Sequence, residues 1–217
     1  MNNTLNINNI LAIGAHFDDV ELAIGGTLNK LSKNNKVYKL TLTDNVTLSK
    51  NLDLDVRYKT SKLSSKKACS ILGVTEIPNK KIKQCSKLKY ETNLMQYIEK
   101  IILNKKIDTI FIHYDNDLNQ DHIASSEICK TAARHCKNIL MFQSNFYTGS
   151  KPFNPTMFVD ITKNINKKIS SLNCYQKEHN RNNQLFSMTI KRNEVWGYSA
   201  GVKYAEGFVP IKFCLDD

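Results

Sequence analysis

The chain has 217 residues, 41% hydrophobic and 24% charged, the balance of an ordinary globular protein and not of a disordered or fibrous one. No apolar run approaches the roughly 18 residues of a membrane span, and Met1-Asn2-Asn3-Thr4 lacks the pattern of a secretion signal, so the expected location is cytoplasmic. The formal charge is +11, but only four of the 31 basic residues are arginine, which argues against nucleic acid as a partner and leaves a field that favours an anionic small molecule.

Strand and helix signals alternate along the chain and predict a Rossmann-like α/β domain over residues 1–217, its mostly parallel sheet flanked by helices. The apolar run 10–15 reads as the first strand and 20–32 as its helix. Residues 37–43 form a second strand, 44–56 a polar loop, and 58–72 a helix that stops at Gly73. Residues 74–90 hold a short third strand and a surface turn. An amphipathic helix at 91–103, with Leu94, Tyr97, Ile98, Ile101 and Ile102 on one stripe, precedes a fourth strand at 108–113. A helix follows over 123–135. Strands at 139–143 and 157–161, helices at 165–175 and 189–204, and a last strand at 207–213 complete the chain. Six cysteines, at 69, 85, 129, 136, 174 and 214, show no C-x-x-C pairing and read as reduced thiols without chemistry.

Two polar clusters stand out. The first strand breaks at once into Ala15-His16-Phe17-Asp18-Asp19-Val20-Glu21, and the fourth ends in His113 and runs into Tyr114-Asp115-Asn116-Asp117-Leu118-Asn119-Gln120-Asp121-His122. In a doubly wound sheet of order 3-2-1-4-5 these two strands are neighbours, and both loops open into the crevice at the strands' carboxyl ends. On a helix's first turn residues three apart share a face, so His16 and Asp19 can address one ion, with His122 joining from the other loop. That N/N/O set without thiolate is the kind that holds catalytic zinc, and Asp18 stands ready to take a proton from a water there. The competing reading is that Asp18, Asp19 and Glu21 cap the helix and complement its dipole.

Ala15-His16-Phe17-Asp18-Asp19-Val20-Glu21 with Gly25-Gly26 resembles the A-H-P-D-D-x-E…G-G motif of the PIG-L/LmbE-like zinc-dependent N-deacetylases. Asp117-Leu118-Asn119-Gln120-Asp121-His122 is similar to the second motif of that family, D-x-[HN]-x-D-H, and Ala200-Gly201-Val202-Lys203-Tyr204-Ala205-Glu206-Gly207-Phe208 to its closing segment. The resemblance implies one Zn2+ per chain on His16, Asp19 and His122, with Asp18 as general base, other divalent metals being able to fill an N/N/O site. It also implies hydrolysis of an N-acetyl group on an amino-sugar-type small molecule. Asn119 stands where many members carry a histidine that serves as acid or oxyanion donor; an amide donates but does not titrate, so His113 or Tyr114 is expected to share that role. Asp121 is expected to brace a neighbouring donor or ligand. Phe17 replaces the usual proline, and Ser61 and Ser64 replace an Arg-x-x-Glu pair, leaving Arg57 or Lys59 as substitutes for a substrate-facing arginine. Glu206 reads as a structural anchor, Trp196 as packing, and His179 as a weaker candidate for the pocket. The rival functions are a metal-dependent phosphoester hydrolase and a non-catalytic module that binds an anionic glycan or nucleic acid.

Overall fold

The computed structural model describes residues 7–49, 54–147, 149–176 and 182–214, so His179 lies outside the described residues. In chain order, β1 (Asn9–Gly14) leads through α1 (Asp19–Leu31) to β2 (Lys36–Thr41), then to a small hairpin, β3 (Thr47–Ser49) and β4 (Leu54–Val56). α2 (Tyr58–Leu72), β5 (Thr75–Glu76), α3 (Thr92–Asn104), β6 (Thr109–His113) and α4 (Gln120–Ala132) follow. The chain continues through β7 (Asn138–Phe142), β8 (Met157–Asp160), α5 (Ile165–Asn173), α6 (Asn182–Ser199) and β9 (Ala205–Lys212).

The central sheet has the order β5-β2-β1-β6-β7-β9-β8. Its first five strands are parallel, in the 3-2-1-4-5 order expected from the sequence, and β9 and β8 close one side antiparallel. β1 is buried on both faces, and its side chains alternate between two cores. Leu11 and Ile13 pack with Ile110 and Ile112 against α3 and α4, while Ile10 and Ala12 pack with Phe111 and Leu140 against α1 and α2. Near-continuous apolar runs are what a parallel strand covered by helices on both faces requires. Ile10 pairs with Val37 on one side and Thr109 on the other, which sets the loops after β1 and β6 side by side.

The differences from the sequence reading are local. The loop at 44–56 contains the β3–β4 hairpin, whose three-residue strands are too short to show a period of two. α4 begins at Gln120, earlier than residue 123, because Asn119 caps it. α6 begins at Asn182 instead of near 189; its first turn is polar and reads as linker.

α1 is broken. Ile24 leaves helical geometry at φ −136° and ψ 19°, and both halves end on side chains from distant elements. Glu206 of β9 accepts from the backbone N–H of Gly26 at 3.0 Å and of Thr27 at 2.6 Å, capping the second half. Lys168 of α5 donates to the carbonyls of Leu22 at 2.9 Å and Ala23 at 3.3 Å, capping the first, and pairs with Glu206 at 2.5 Å. Two orphan N–H groups and two orphan carbonyls of the break thereby find side-chain partners. Gly26 lets the second half lie on Ile161, whose side-chain carbons would stand 2.9 Å from a Cβ at that position.

Candidate active site

The site starts where β1 runs out of sheet. Gly14 allows the chain to fold back on itself, since a Cβ there would meet the His16 carbonyl oxygen at 2.8 Å. The turn that follows is held from beneath. The buried Lys39 Nζ donates to the Phe17 carbonyl at 2.5 Å and to both oxygens of Glu21, at 2.7 and 2.8 Å, and the Tyr175 hydroxyl donates to the same carbonyl at 2.7 Å. Glu21 is therefore an ion-pair partner and not the dipole complement that its place in a first turn suggests. Burial pulls against the Lys39 charge, but Glu21 outweighs it and holds the ammonium's pKa above its ordinary value. The Phe17 ring turns away into an apolar cluster with Leu22, Ala68, Leu172 and Phe186.

With the backbone fixed, Asp18 and Asp19 are placed differently. Neither caps the helix through its side chain: Asp18 sits at the N-cap without a side-chain cap hydrogen bond, and Asp19 Oδ2 accepts from the backbone N–H of His16 at 2.7 Å. Both are buried, and Asp19 faces three histidines. His16 Nδ1 and His122 Nε2 are 3.2 Å apart, His122 Nε2 is 3.2 Å from Asp19 Oδ1, and His16 Nδ1 is 3.3 Å from Asp19 Oδ2. Bonds of 2.0–2.2 Å at tetrahedral angles put neighbouring ligand atoms about 3.3–3.5 Å apart, close to the separation of the two nitrogens and to the distance from each nitrogen to its own Asp19 oxygen.

The second nitrogen of each ring meets a carboxylate. His16 Nε2 lies 3.2 Å from Asp121 Oδ2, and His122 Nδ1 lies 3.0 Å from Asp117 Oδ2. Asp121 is itself held by the N–H groups of Ser86 at 2.7 Å and Leu88 at 3.2 Å, and Asp117 by the Asn145 amide at 2.8 and 2.9 Å. Such carboxylates take the ring N–H and fix the tautomer, leaving His16 Nδ1 and His122 Nε2 as acceptors. Two acceptor nitrogens 3.2 Å apart repel each other unless a cation or a proton joins them. The site draws positive charge accordingly. Burial opposes charge on His122, but Asp19 and Asp117 raise its pKa to about 9; burial likewise opposes His16, whose pKa Asp19 and Asp121 lift well above the usual imidazole range. Burial resists ionisation of Asp19 too, yet His122, His113 and His16 hold its pKa well below that of a free carboxyl. A divalent cation supplies the same charge with the three donors already in place.

Residues 11–133 match the model of a protein family, PIG-L, described as GlcNAc-PI de-N-acetylase. The chain belongs to the PIG-L family. Solved structures with the same fold include the conserved protein TT1542 from Thermus thermophilus, at 19% identity and a TM-score of 0.79 with 96% of each chain covered. The N,N'-diacetylchitobiose deacetylase from Pyrococcus horikoshii, crystallised with an inhibitor, aligns at 17% identity and a TM-score of 0.78, covering 95% of this chain and 84% of that one. GalB, the 4-carboxy-2-hydroxymuconate hydratase from Pseudomonas putida, aligns at 14% identity and a TM-score of 0.77 over 97% and 99% of the two chains.

The other residues singled out in the PIG-L motifs fall as follows. Asn119 caps α4 by accepting from the N–H groups of Asp121 at 2.9 Å and His122 at 3.4 Å, which aligns both behind the site. His113, expected to share a donor role toward substrate, has no exposed surface. It stacks on His122 with ring centroids 4.0 Å apart, its Nε2 lies 3.1 Å from Asp19 Oδ2 and accepts from the Ala15 N–H at 3.0 Å, and burial pushes its pKa down to about 4. It packs against the inner side of the Asp19 carboxylate, with the Nε2 lone pair taken by the Ala15 N–H. Arg57 pairs with Asp55 on the surface, and Ser61 accepts from Asn45 Nδ2 at 3.1 Å.

Four bracing residues escaped the sequence reading. Asp117 is the opening residue of the second motif and could have been marked by that alone. Ser144, which donates to Asp19 Oδ1 at 2.9 Å, and Asn145, which holds Asp117, carry no motif. Their loop is pinned by the half-buried Arg192 of α6, which donates to the carbonyls of Asn145 at 2.7 Å and Gln143 at 3.0 Å and lies over the rings of Phe146 and Trp196. None of the six cysteines is in a disulfide, and Cys85 reaches the His16 side of the cluster.

Proposed function

We propose that this protein is a zinc-dependent N-deacetylase that hydrolyses the N-acetyl group of an amino sugar or sugar conjugate. The reading is carried by one observation: ligand atoms of His16, Asp19 and His122 converge within 4.8 Å of one another in a PIG-L family chain, with both histidines oriented by carboxylates. The donor set fits a divalent zinc, and His16, Asp19 and His122 would hold it. Bound there, zinc supplies a Lewis acid that polarises the acyl carbonyl and acidifies a water.

The chain's own residues carry the proton work. Asp18 accepts a proton from the attacking water as the water oxygen bonds to the acyl carbon. It then passes that proton to the amide nitrogen as the carbon–nitrogen bond breaks, giving acetate and a free amine. A carboxylate suits both halves, provided it is held still, and the double grip of Lys39 and Tyr175 on the adjacent Phe17 carbonyl does that. The Asn119 Nδ2 amide, its oxygen committed to the α4 cap, is the donor left for the developing oxyanion. Asp121 and Asp117 keep the ligand tautomers, and Ser144 keeps Asp19 in place. The +11 charge favours a substrate that carries a carboxylate or phosphate, a nucleotide-linked sugar among them.

A second reading comes from GalB, named as a hydratase, since the same fold there adds water to a substrate instead of cleaving an amide. The family match supports deacetylation over hydration. The test is acetate release from N-acetylated amino sugars, neutral and phosphorylated, quantified against free amine. Equal yields of acetate and amine, lost in Asp18→Asn with metal retained, support the proposal. Hydration of an unsaturated acid without amide cleavage would replace it with the GalB-like reading.

A further inference from the structure

The His16 ring faces donors on both edges. Beyond its Nε2 lie the Asp121 carboxylate at 3.2 Å and the Cys85 thiol, and one ligand atom from each of the three residues falls within 4.8 Å of the others. We propose that His16 Nε2, Cys85 Sγ and Asp121 Oδ2 form a second metal position for a thiophilic divalent cation, back to back with the first across the His16 imidazole. This position shares the His16 ring with the deacetylase reading and turns Asp121, which there orients that ring, into a ligand.

The 3.2 Å between nitrogen and carboxylate oxygen is already close to a tetrahedral ligand edge, and a zinc–thiolate bond of about 2.3 Å asks the sulfur to close to about 3.6 Å. Cys85 is half-buried on a loop, its Sγ also 3.6 and 3.9 Å from the Thr47 and Ser86 hydroxyls. The carboxylate is pre-set: the Ser86 and Leu88 N–H groups hold Asp121, and Ser86 adopts a left-handed φ of 64° to aim its N–H there. A cation at this position replaces two protons, one from the Cys85 thiol and one from His16 Nε2, both released to solvent. The thiolate selects zinc or cadmium over magnesium and calcium. The alternative is that Asp121 only orients His16 and Cys85 is a bystander.

Cadmium titration of the metal-free full chain separates these outcomes, read by bound cadmium per chain and by the ultraviolet thiolate-to-cadmium charge-transfer band. The expected result is two cadmium ions and the band in wild type, one ion and no band in Cys85→Ser, and one ion with the band in Asp19→Ala. Wild type that binds one ion without a band, unaffected by Cys85→Ser, overturns this proposal and leaves the first position standing. One ion with a band that Cys85→Ser abolishes and Asp19→Ala leaves alone supports this proposal and sinks the deacetylase metal site instead. Protection of Cys85 from alkylation by cadmium but not magnesium, mapped by peptide mass, gives the same answer on unmutated protein; equal alkylation in both would contradict it.

Discussion

Lys168→Met and Glu206→Gln test whether the break in α1 is held by one buried ion pair acting as a unit. Both side chains are fully buried, and between them they cap four backbone groups at the break. Lys168→Met leaves the Glu206 carboxylate with only the Gly26 and Thr27 N–H groups, and Glu206→Gln leaves the ammonium with only carbonyls. Removing one partner of a buried pair costs about 3–5 kcal/mol, a large share of the ~5–15 kcal/mol that a domain has to lose. The double variant carries no stranded charge, so its loss should stay near that of one single variant, an interaction of roughly 2 kcal/mol or more. Urea unfolding followed by circular dichroism measures all four proteins. Single losses under about 1 kcal/mol, or losses that simply add, would refute the clamp.

Asp18→Asn should lower kcat by about 10²–10⁴-fold with metal content unchanged, measured by acetate release and elemental analysis. Asp117→Asn removes the acceptor that sets the His122 tautomer and should weaken metal affinity by about 10–100-fold, read by competition with a chromophoric chelator. Burial pushes the Cys69 and Cys129 thiols up to about 12, against an unfolded value of about 8.5. The folded state then keeps protons that the unfolded state gives up: their stabilisation is complete below about pH 8.5 and falls as pH rises toward the folded values. By pH 10 each costs about 2 kcal/mol, so the urea midpoint of Cys129→Ala should fall less between pH 8 and pH 10 than that of wild type; an equal fall would contradict it.

What could be read without the structure was what repeats or clusters. Alternating strand and helix signals lead to the parallel order β5-β2-β1-β6-β7, and from it to the meeting of His16, Asp19 and His122. The supports were harder to see because they answer to tertiary contacts. Ser144, Asn145 and Arg192 come from a loop and a helix joined to the site only by folding, and a lone serine after a strand looks like any other. Glu21 reads as a dipole complement at a helix start, because nothing local says that it and Lys39 bury each other. His113 looked like a donor because it ends a strand beside a motif, yet the close packing of Phe142 and His122 around it leaves no route to a substrate. The approach of Cys85 to His16 and Asp121 is not legible in the sequence, because those neighbours arrive from other loops.

The most direct test of the central claim is metal content by elemental analysis on wild type and on Asp19→Ala, both purified without added metal. Zinc should be retained in wild type and the His16–Asp19–His122 share lost in the variant. Wild type that carries no metal and takes up none on titration would contradict it.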